Sequence, residues 1–197
     1  QRVGVYIPGG TAPLMSTALM TVTLARAAGC PEIVVCTPCG AQGEINPALL
    51  FATRTAGATE IYRIGGAQAI AVMAYGTATI PHVQKVFGPG NAYVVAAKRL
   101  LFGRVAVDLL PGPSEVLVLA DETANPRFAA ADLLVQAEHG SGHERVWLVT
   151  TSTKLLLAVD KEIRRQLPRL SRRELIGRAL NNNGWLIHVK PVDDAVA

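Results

Sequence analysis

The fold is decided by the stretch VGVYIPGGTAPLMSTALMTVTLARAAGCPEIVVCT, residues 3–37. A short run of β-branched and aromatic residues (3–8) leads through a Gly- and Pro-rich turn into an Ala- and Leu-rich stretch with helical spacing (13–28). A second β-branched run follows at 32–37. A strand, a helix and another strand in this order are typical of parallel strands joined by a crossover helix. The stretch therefore predicts a parallel sheet with helices packed on its faces.

The same alternation continues to the end of the chain. Further strand-like runs lie at 60–65, 85–89, 105–110, 115–120, 145–151 and 185–189. Helical spacing recurs at 46–56, 67–75, 91–102, 125–139, 153–166 and 171–181. Because the strand runs are apolar throughout, we expect the strands to be buried on both faces. The pattern predicts the α/β class, with two consecutive, incomplete Rossmann-like units of mostly parallel sheets flanked by helices.

The alternation breaks once, in VAVDLLPGPSEVLVLA (105–120). Only Pro111-Gly112-Pro113-Ser114 separates two strand-like runs, so no crossover helix fits between them. Two prolines and a glycine favour a rigid turn. We place the junction between the two units here, with a first unit at 1–111 and a second at 112–197.

The composition excludes several classes of protein. Half of the 197 residues are hydrophobic and 17% are charged, which excludes a disordered chain. No apolar run approaches the ~20 residues that span a bilayer, and the first residues lack the features of a signal peptide. The net charge of +4 is concentrated in the Arg-rich segment 161–178, which lacks aromatic residues. This segment indicates a solvated helical face, and we expect no binding to nucleic acid or membrane.

The three cysteines do not form a recognisable metal or disulfide framework. Cys36-x-x-Cys39 has the spacing of a redox or zinc motif, but the only other cysteine is Cys30, so there is no second pair. We therefore expect buried or loop thiols in a reducing, cytoplasmic environment.

Gly-rich loops follow the predicted strands. In open α/β sheets, ligands bind beyond the carboxyl ends of the strands, and we place these loops there. The loops and their polar side chains are 8–13 with Thr11, 65–69 with Gln68, 88–92 with Asn91 and 111–115 with Ser114; Tyr6 precedes the first of them. The Gly-Gly pairs either admit a phosphate close to the backbone or form only tight turns. Asn91 is either a ligand contact or the N-cap of the next helix.

Gln136 and His139 end the predicted helix 125–139 and are three residues apart, so they share a helix face. The histidine either interacts with the carbonyl groups at the helix end or forms half of a metal site with Gln136. A glutamine is an unusual ligand because its neutral amide oxygen is weaker than a carboxylate. Glu138 points elsewhere on a helix and is left out of the site.

Five motifs together resemble the histidinol dehydrogenase family. They are VGVYIPGGTAPL (3–14), GGAQAIA (65–71), FGPGNAYV (87–94), PGPSEVLV (111–118) and DLLVQAEHG (132–140), in the family's order and approximate spacing. The resemblance covers essentially the whole chain. It implies an NAD-dependent, zinc-containing oxidoreductase of histidine biosynthesis. The family oxidises L-histidinol to L-histidine through histidinaldehyde, in two hydride transfers.

The resemblance also implies roles for individual residues. Positions that contact NAD in the family fall on Tyr6, Gln68 and Asn91. The substrate-contacting serine falls on Ser114, and the first two zinc ligands fall on Gln136 and His139, which thereby also contact substrate. Zinc would hold the substrate's imidazole and amine as a template rather than generate a hydroxide.

The family's remaining site residues have no counterpart in this sequence. An Asp and a His complete the zinc site, and an adjacent Glu-His pair performs the acid–base chemistry; all four lie further along the family's chain. We therefore expect a central portion of the enzyme that carries no catalytic residue and is inactive alone. The family pattern also implies a cytoplasmic homodimer in which the partner supplies the last zinc ligand.

Two alternatives remain open. One is a related zinc- and NAD-dependent dehydrogenase that acts on another small alcohol, such as a sulfonated one. The other is a non-catalytic, truncated α/β nucleotide-binding module.

Overall fold

A computed structural model describes residues 1–9, 13–139 and 142–195. The prediction at Thr11 lies outside the described residues, as does Gly140, the last residue of the motif at 132–140. The chain divides into two compact units, Gln1–Pro111 and Gly112–Ala197.

The first unit is a doubly wound α/β sheet. Its elements are β1 (Arg2–Tyr6), α1 (Met15–Ala27), β2 (Glu32–Thr37), α2 (Pro47–Ala56), β3 (Glu60–Arg63), α3 (Gly66–Tyr75), β4 (Lys85–Phe87), α4 (Ala92–Leu101) and β5 (Ala106–Val107). All strand pairs are parallel, in the order β3-β2-β1-β4-β5. This is the order of a Rossmann-type sheet, which confirms the predicted fold class. The strand predicted at 105–110 was too long, because the structure contains only Ala106–Val107 in strand form.

Both faces of the first sheet are buried, as the apolar strand runs predict. Successive side chains of a strand point to opposite faces. On one face, Val5 of β1 packs with Val22 of α1 and Leu49 of α2. On the other face, Tyr6 packs in the cluster that includes Met73 of α3 and Val94 of α4. The helices therefore cover the sheet from both sides.

The second unit contains β6 (Glu115–Ala120), α5 (Pro126–Ala137), β7 (Arg145–Thr150), α6 (Thr153–Gln166), α7 (Arg173–Asn183) and β8 (Gly184–His188), with short 3₁₀ helices at Leu167–Arg169 and Val192–Ala195. The strands are parallel, in the order β6-β7-β8. The predicted alternation of strands and helices is confirmed in this unit as well.

The expectation that every strand is buried on both faces is wrong for the second unit. Side chains such as Leu148 pack with α5, α6 and α7 in one core cluster. On the other face, side chains of the outer strands β6 and β8 stay exposed, with Leu117 at 52%, Leu119 at 47% and Trp185 at 42%, whereas Val149 of the central strand is buried. The strands are adjacent in chain order, and right-handed crossovers place all their connecting helices on one face. An apolar strand run therefore does not show whether helices cover one face of the strand or both.

The Arg-rich segment is a solvated helical face, as predicted. On α6, Arg164 pairs with Asp160 at 2.9 Å and Arg165 pairs with Glu162 at 2.8 Å, one turn apart on the helix surface. Exposed pairs of this kind contribute little to stability, because solvent screens them. Across the part of the chain that the structure describes, no helix combines the length and apolar character needed to cross a membrane.

Candidate functional site

The strand order of the first unit reverses next to β1, and this reversal defines a candidate site at the carboxyl edge of the sheet. From β1 the chain passes to β2 and β3 on one side, and then crosses to β4 and β5 on the other. Ligands of open α/β sheets bind where the strand order reverses in this way. Tyr6 is the last residue of β1, and Asn91 lies just after β4. The topology thus places two of the three predicted NAD contacts at the reversal point.

Tyr6 connects β1 to the loop before α3. Its side chain is buried, and its hydroxyl oxygen accepts a hydrogen bond of 3.0 Å from the backbone N–H of Gly66. The hydroxyl keeps its own hydrogen for donation. Gln68, the third predicted NAD contact, is exposed in the first turn of α3. No side chain caps that turn in the described structure, so N–H groups beyond Gly66 remain open to an anion.

Asn91 is the N-cap of α4. Its side-chain oxygen accepts hydrogen bonds of 3.1 Å from the backbone N–H groups of Tyr93 and Val94, which confirms the capping interpretation. Capping uses only the oxygen of the amide, and the side-chain nitrogen retains two donors. Asn91 is exposed, so those donors face solvent rather than the core. The two interpretations left open by the sequence are therefore compatible, and the contact to NAD stays a prediction.

An ion pair between a buried lysine and a partly buried aspartate, close to this edge, was not predicted from the sequence. The ammonium group of Lys98 on α4 lies 2.6 Å from Oδ1 of Asp108, just after β5, and also donates to the carbonyl oxygen of Gly88. The second carboxylate oxygen of Asp108 accepts a hydrogen bond of 2.8 Å from the Gly88 N–H. The sequence contained a signal, because Lys98 is four residues from the apolar Val94 and so lies on the inner stripe of α4.

Cys36 is not a candidate nucleophile. It lies fully buried in β2, and desolvation raises the pKa of its thiol to about 12. A thiol with so high a pKa is almost entirely protonated at neutral pH, and only the thiolate is reactive. Cys39 is exposed in the following loop. No disulfide joins the described cysteines.

The second unit carries Gln136 and His139 at the end of α5. Asn125 caps the helix start by accepting a hydrogen bond of 2.9 Å from the Arg127 N–H. The helix ends at Ala137 with Glu138 as its C-cap, so the prediction that His139 belongs to the last helical turn was wrong. His139 lies in the turn that follows, and its backbone N–H donates to the carbonyl oxygen of Gln136 at 3.3 Å. The two residues are nevertheless held together at the helix end.

The side-chain nitrogen of Gln136 is buried and has no hydrogen-bond partner among the described residues. An unsatisfied buried polar group costs about 1–3 kcal/mol. A half-turn of the amide exchanges its nitrogen and oxygen, so the same buried position can present an oxygen to a cation. The carbonyl groups at the end of α5 also favour positive charge. Gln136 and the exposed His139 therefore fit a metal ion as two of its ligands.

The site is not a complete metal centre. In the ranges 1–9, 13–139 and 142–195, no three or more His, Cys, Asp or Glu side chains form a group that could hold a metal ion. Zinc in proteins takes three or four protein ligands. Gln136 and His139 alone would therefore not complete such a site, and their role as metal ligands stays a prediction.

The loop that carries Ser114 follows β5 in the chain, as predicted. Ser114 itself directly precedes β6 and so also lies at the amino edge of the second sheet, which was not predicted. Its carbonyl oxygen accepts a hydrogen bond of 3.2 Å from Arg145 N–H, at the start of β7. Because α5 connects two parallel strands, it runs antiparallel to them and ends at the same edge. The fold thus brings Ser114 and the Gln136–His139 pair to one edge.

Comparisons with known proteins agree on one family. The histidinol dehydrogenase family model matches residues 1–197. Histidinol dehydrogenase of Bacteroides thetaiotaomicron is 56% identical over 197 residues, which are 100% of this chain and 46% of that protein. The Lactococcus lactis histidinol dehydrogenase is 49% identical over 195 residues, covering 99% of this chain and 45% of its own.

A solved structure gives the same result. The crystal structure of histidinol dehydrogenase from Elizabethkingia anophelis matches with a TM-score of 0.94 and 46% identity, covering 100% of this chain and 45% of that one. The chain thus spans about half the length of the relatives it matches. The family model and the relatives together show that the chain belongs to the histidinol dehydrogenase family.

Proposed function

We propose that these residues form part of an enzyme that oxidises L-histidinol to L-histidine with NAD and zinc. The observation that carries the proposal is the family match over residues 1–197. The activity is assigned to a polypeptide of the relatives' length, because this chain spans 46% of the Bacteroides thetaiotaomicron protein.

In this proposal the first unit holds NAD. The cofactor supplies an acceptor for the hydride removed at each oxidation. Tyr6 offers the hydrogen of its hydroxyl, since the oxygen already accepts from Gly66. Asn91 offers the two donors of its side-chain nitrogen, since its oxygen is used by the helix cap. Gln68 lies by the uncapped N-terminus of α3, where the open N–H groups favour a pyrophosphate.

The second unit holds zinc and the substrate. Zinc, held in part by Gln136 and His139, would bind the imidazole and amine nitrogens of histidinol. The buried amide of Gln136 fits this role because it has an unused polar group directed into the protein. A neutral amide donates little charge, so the metal keeps more of its own for the substrate nitrogens. Ser114, exposed at the same sheet edge, would contact the substrate.

The acid–base groups belong to other parts of the enzyme. We propose that the family's Glu-His pair and its two further zinc ligands come from polypeptide outside these residues, with the last ligand from the partner in a cytoplasmic homodimer. Residues 1–197 alone would then bind weakly and catalyse nothing.

Spectrophotometric assay of NADH formation tests this. Purified protein of the relatives' length is compared with residues 1–197, each with L-histidinol and NAD. We expect turnover by the longer protein and none by residues 1–197. Turnover by residues 1–197 would contradict the assignment of acid–base groups elsewhere. If the longer protein ignored histidinol but oxidised another small alcohol, the related dehydrogenase would replace histidinol dehydrogenase as the function.

A further inference from the structure

We propose that Lys98 and Asp108 are positioning residues that fix the loop Gly88–Asn91 in the shape that binds the dinucleotide. The inference rests on the proposed function, because it assumes that NAD binds at the carboxyl ends of the neighbouring strands β1 and β4. Neither residue needs to touch the cofactor. They act through the backbone of Gly88, which they hold on both sides.

The burial of Lys98 is the first observation. Its side chain is 2% exposed, on the stripe of α4 that also buries Val94 and Leu101. A lysine is almost never fully buried unless it is paired. Here the pairing is complete, because the ammonium group bonds both Asp108 and the carbonyl oxygen of Gly88.

The second observation is that the pair holds both polar groups of one peptide residue. The carbonyl oxygen of Gly88 accepts from Lys98, and its N–H donates to Asp108 at 2.8 Å. Gly88 has φ +117, and a Cβ atom added there would lie 2.0 Å from the carbonyl oxygen of Tyr6. Gly88 is therefore in close contact with the end of β1. The same residue is hydrogen-bonded to Lys98 of α4 and to Asp108.

The consequence reaches the proposed cofactor contacts. Asn91 starts α4, the helix that carries Lys98, and Tyr6 ends the strand against which Gly88 is packed. The hydrogen bonds from Lys98 and Asp108 to Gly88 tie the loop back to the helix that follows it, so the four residues from Gly88 to Asn91 have little freedom. The donors of Asn91 and the hydroxyl of Tyr6 are then held in fixed relation before a ligand arrives. Pre-organisation of this kind lowers the cost of binding.

Stability alone does not account for an ion pair at this place. Desolvation of two charges offsets much of their attraction, and apolar replacements of similar volume are often neutral or stabilising. An apolar pair could fill the same space between α4 and β5, but it could not bond the carbonyl and N–H groups of Gly88. The charged, hydrogen-bonding side chains are therefore needed to hold the loop Gly88–Asn91, and not to fill the space between α4 and β5.

The test separates loop geometry from stability in protein of the relatives' length. Lys98→Met, Asp108→Asn and the apolar double variant Lys98→Met/Asp108→Leu are compared with Arg99→Met. The control removes the same charge from the exposed neighbouring position on α4. Thermal unfolding gives stability, calorimetry gives the NAD dissociation constant, and steady-state kinetics give KM for NAD and kcat separately.

We expect the double variant to stay folded and to bind NAD about tenfold more weakly, since small misplacements of binding groups have effects of this size or larger. KM for NAD should rise while kcat changes much less, and Arg99→Met should match the wild type. A folded double variant with wild-type NAD affinity would overturn the proposal. If the double variant does not fold, Asp108→Asn, which keeps the side-chain shape, decides the same question. Failure of wild-type protein to bind NAD would instead overturn the proposed function.

Discussion

The hydroxyl oxygen of Tyr6 lies 3.0 Å from the backbone nitrogen of Gly66 and joins the end of β1 to the start of α3. Tyr6→Phe keeps the buried ring and removes only the hydroxyl, which accepts this hydrogen bond and has one hydrogen of its own to donate. We expect the free energy of unfolding of the first unit to fall by about 1 kcal/mol, the net value of a typical hydrogen bond. NAD binding should weaken as well, because the hydroxyl donor is lost. Urea unfolding and calorimetry measure the two effects.

The matched control for Tyr6→Phe is Tyr75→Phe. Tyr75 ends α3 and is 58% exposed, so its hydroxyl is hydrated in both folded and unfolded protein. Its ring also stacks against the guanidinium group of Arg104, and phenylalanine preserves that contact. We expect both stability and NAD affinity to match the wild type. An equal loss in the two variants would show that removing a hydroxyl, rather than the bond to Gly66, causes the effect.

Alanine substitutions at Gly88 and Gly103 distinguish the energetic cost of a steric clash from the cost of backbone strain. Both have positive φ, +117 and +94, but a Cβ at Gly88 would collide with Tyr6, whereas one at Gly103 would meet no atom of the described residues within 4 Å. We expect Gly103→Ala to cost about 1 kcal/mol from strain alone. Gly88→Ala should cost about 3 kcal/mol because the clash adds to the strain. Equal losses, measured by chemical unfolding, would mean that the loop can move away from β1.

Replacing Gln136 should raise the stability of the metal-free protein and at the same time weaken the proposed metal binding. Its buried nitrogen has no partner among the described residues, so Gln136→Met should remove an unsatisfied polar group while keeping the shape of the side chain. In metal-free protein we expect a gain of about 1 kcal/mol in the free energy of unfolding. The same variant of the longer enzyme should lose zinc, measured by metal analysis after dialysis.

His139→Ala is the counterpart of that experiment. His139 is exposed, so its removal should leave the stability of metal-free protein unchanged within about 0.5 kcal/mol. Zinc should nevertheless be lost from the longer enzyme. Retention of a full zinc complement by both variants would show that neither residue is a ligand.

The buried thiol of Cys36 makes the first unit sensitive to alkaline pH. Its pKa in the folded protein is raised to about 12 from an ordinary value of 9.0, because burial penalises the thiolate. Below pH 9 the thiol is protonated in both states and contributes no dependence. Between pH 9 and 12 only the unfolded chain releases the proton, so stability should fall by about 1.4 kcal/mol per pH unit.

Cys36→Ala isolates this contribution from other groups that titrate at high pH, such as Tyr62, whose pKa is also raised to about 12. We expect the variant to be less stable at pH 8, where the methyl group leaves a small cavity, but to lose less stability on going to pH 11. Parallel slopes for the two proteins, measured by urea unfolding at each pH, would contradict a raised thiol pKa in the folded state.

Sequence predicted the helices and strands well because their signals are local. Gly- and Pro-rich turns separate apolar runs with the periods of strands and of helices, and the strand–helix–strand alternation predicts parallel strands. The turn 111–114 leaves no room for a crossover helix, and the sheet does change there. The capping role of Asn91 was likewise predictable from its position before an apolar run.

The features that sequence did not predict depend on distant neighbours. Lys98 and Asp108 are ten residues apart and meet only because α4 packs beside the end of β5. The exposure of Leu117 could not be predicted, since an apolar strand has the same pattern whether or not a helix covers it. The amino-edge location of Ser114 follows from which sheet its strand joins, and a rule about strand ends alone cannot decide that.

The uncovered face of the second sheet leads to a prediction about association. Trp147 and Trp185 stack on it with ring centroids 5.6 Å apart, next to the exposed Leu117 and Leu119 of the same sheet. Parallel sheets are covered on both faces in nearly all proteins, so a bare apolar face tends to find a partner. We expect residues 1–197 to self-associate at high concentration, measured by light scattering and sedimentation.

Leu119→Lys should reduce this association without reducing stability, because the side chain is already 47% exposed in the monomer. Leu157→Lys is the control, since Leu157 is a 63% exposed leucine on α6, among the helices on the other side of the sheet. The same added charge there should leave association unchanged. If both variants became equally monodisperse, the added charge would explain the reduced association, and the exposed face of the sheet would not be its cause. A wild-type chain that stayed monomeric at high concentration would contradict the prediction, because the bare face would then be stable in water.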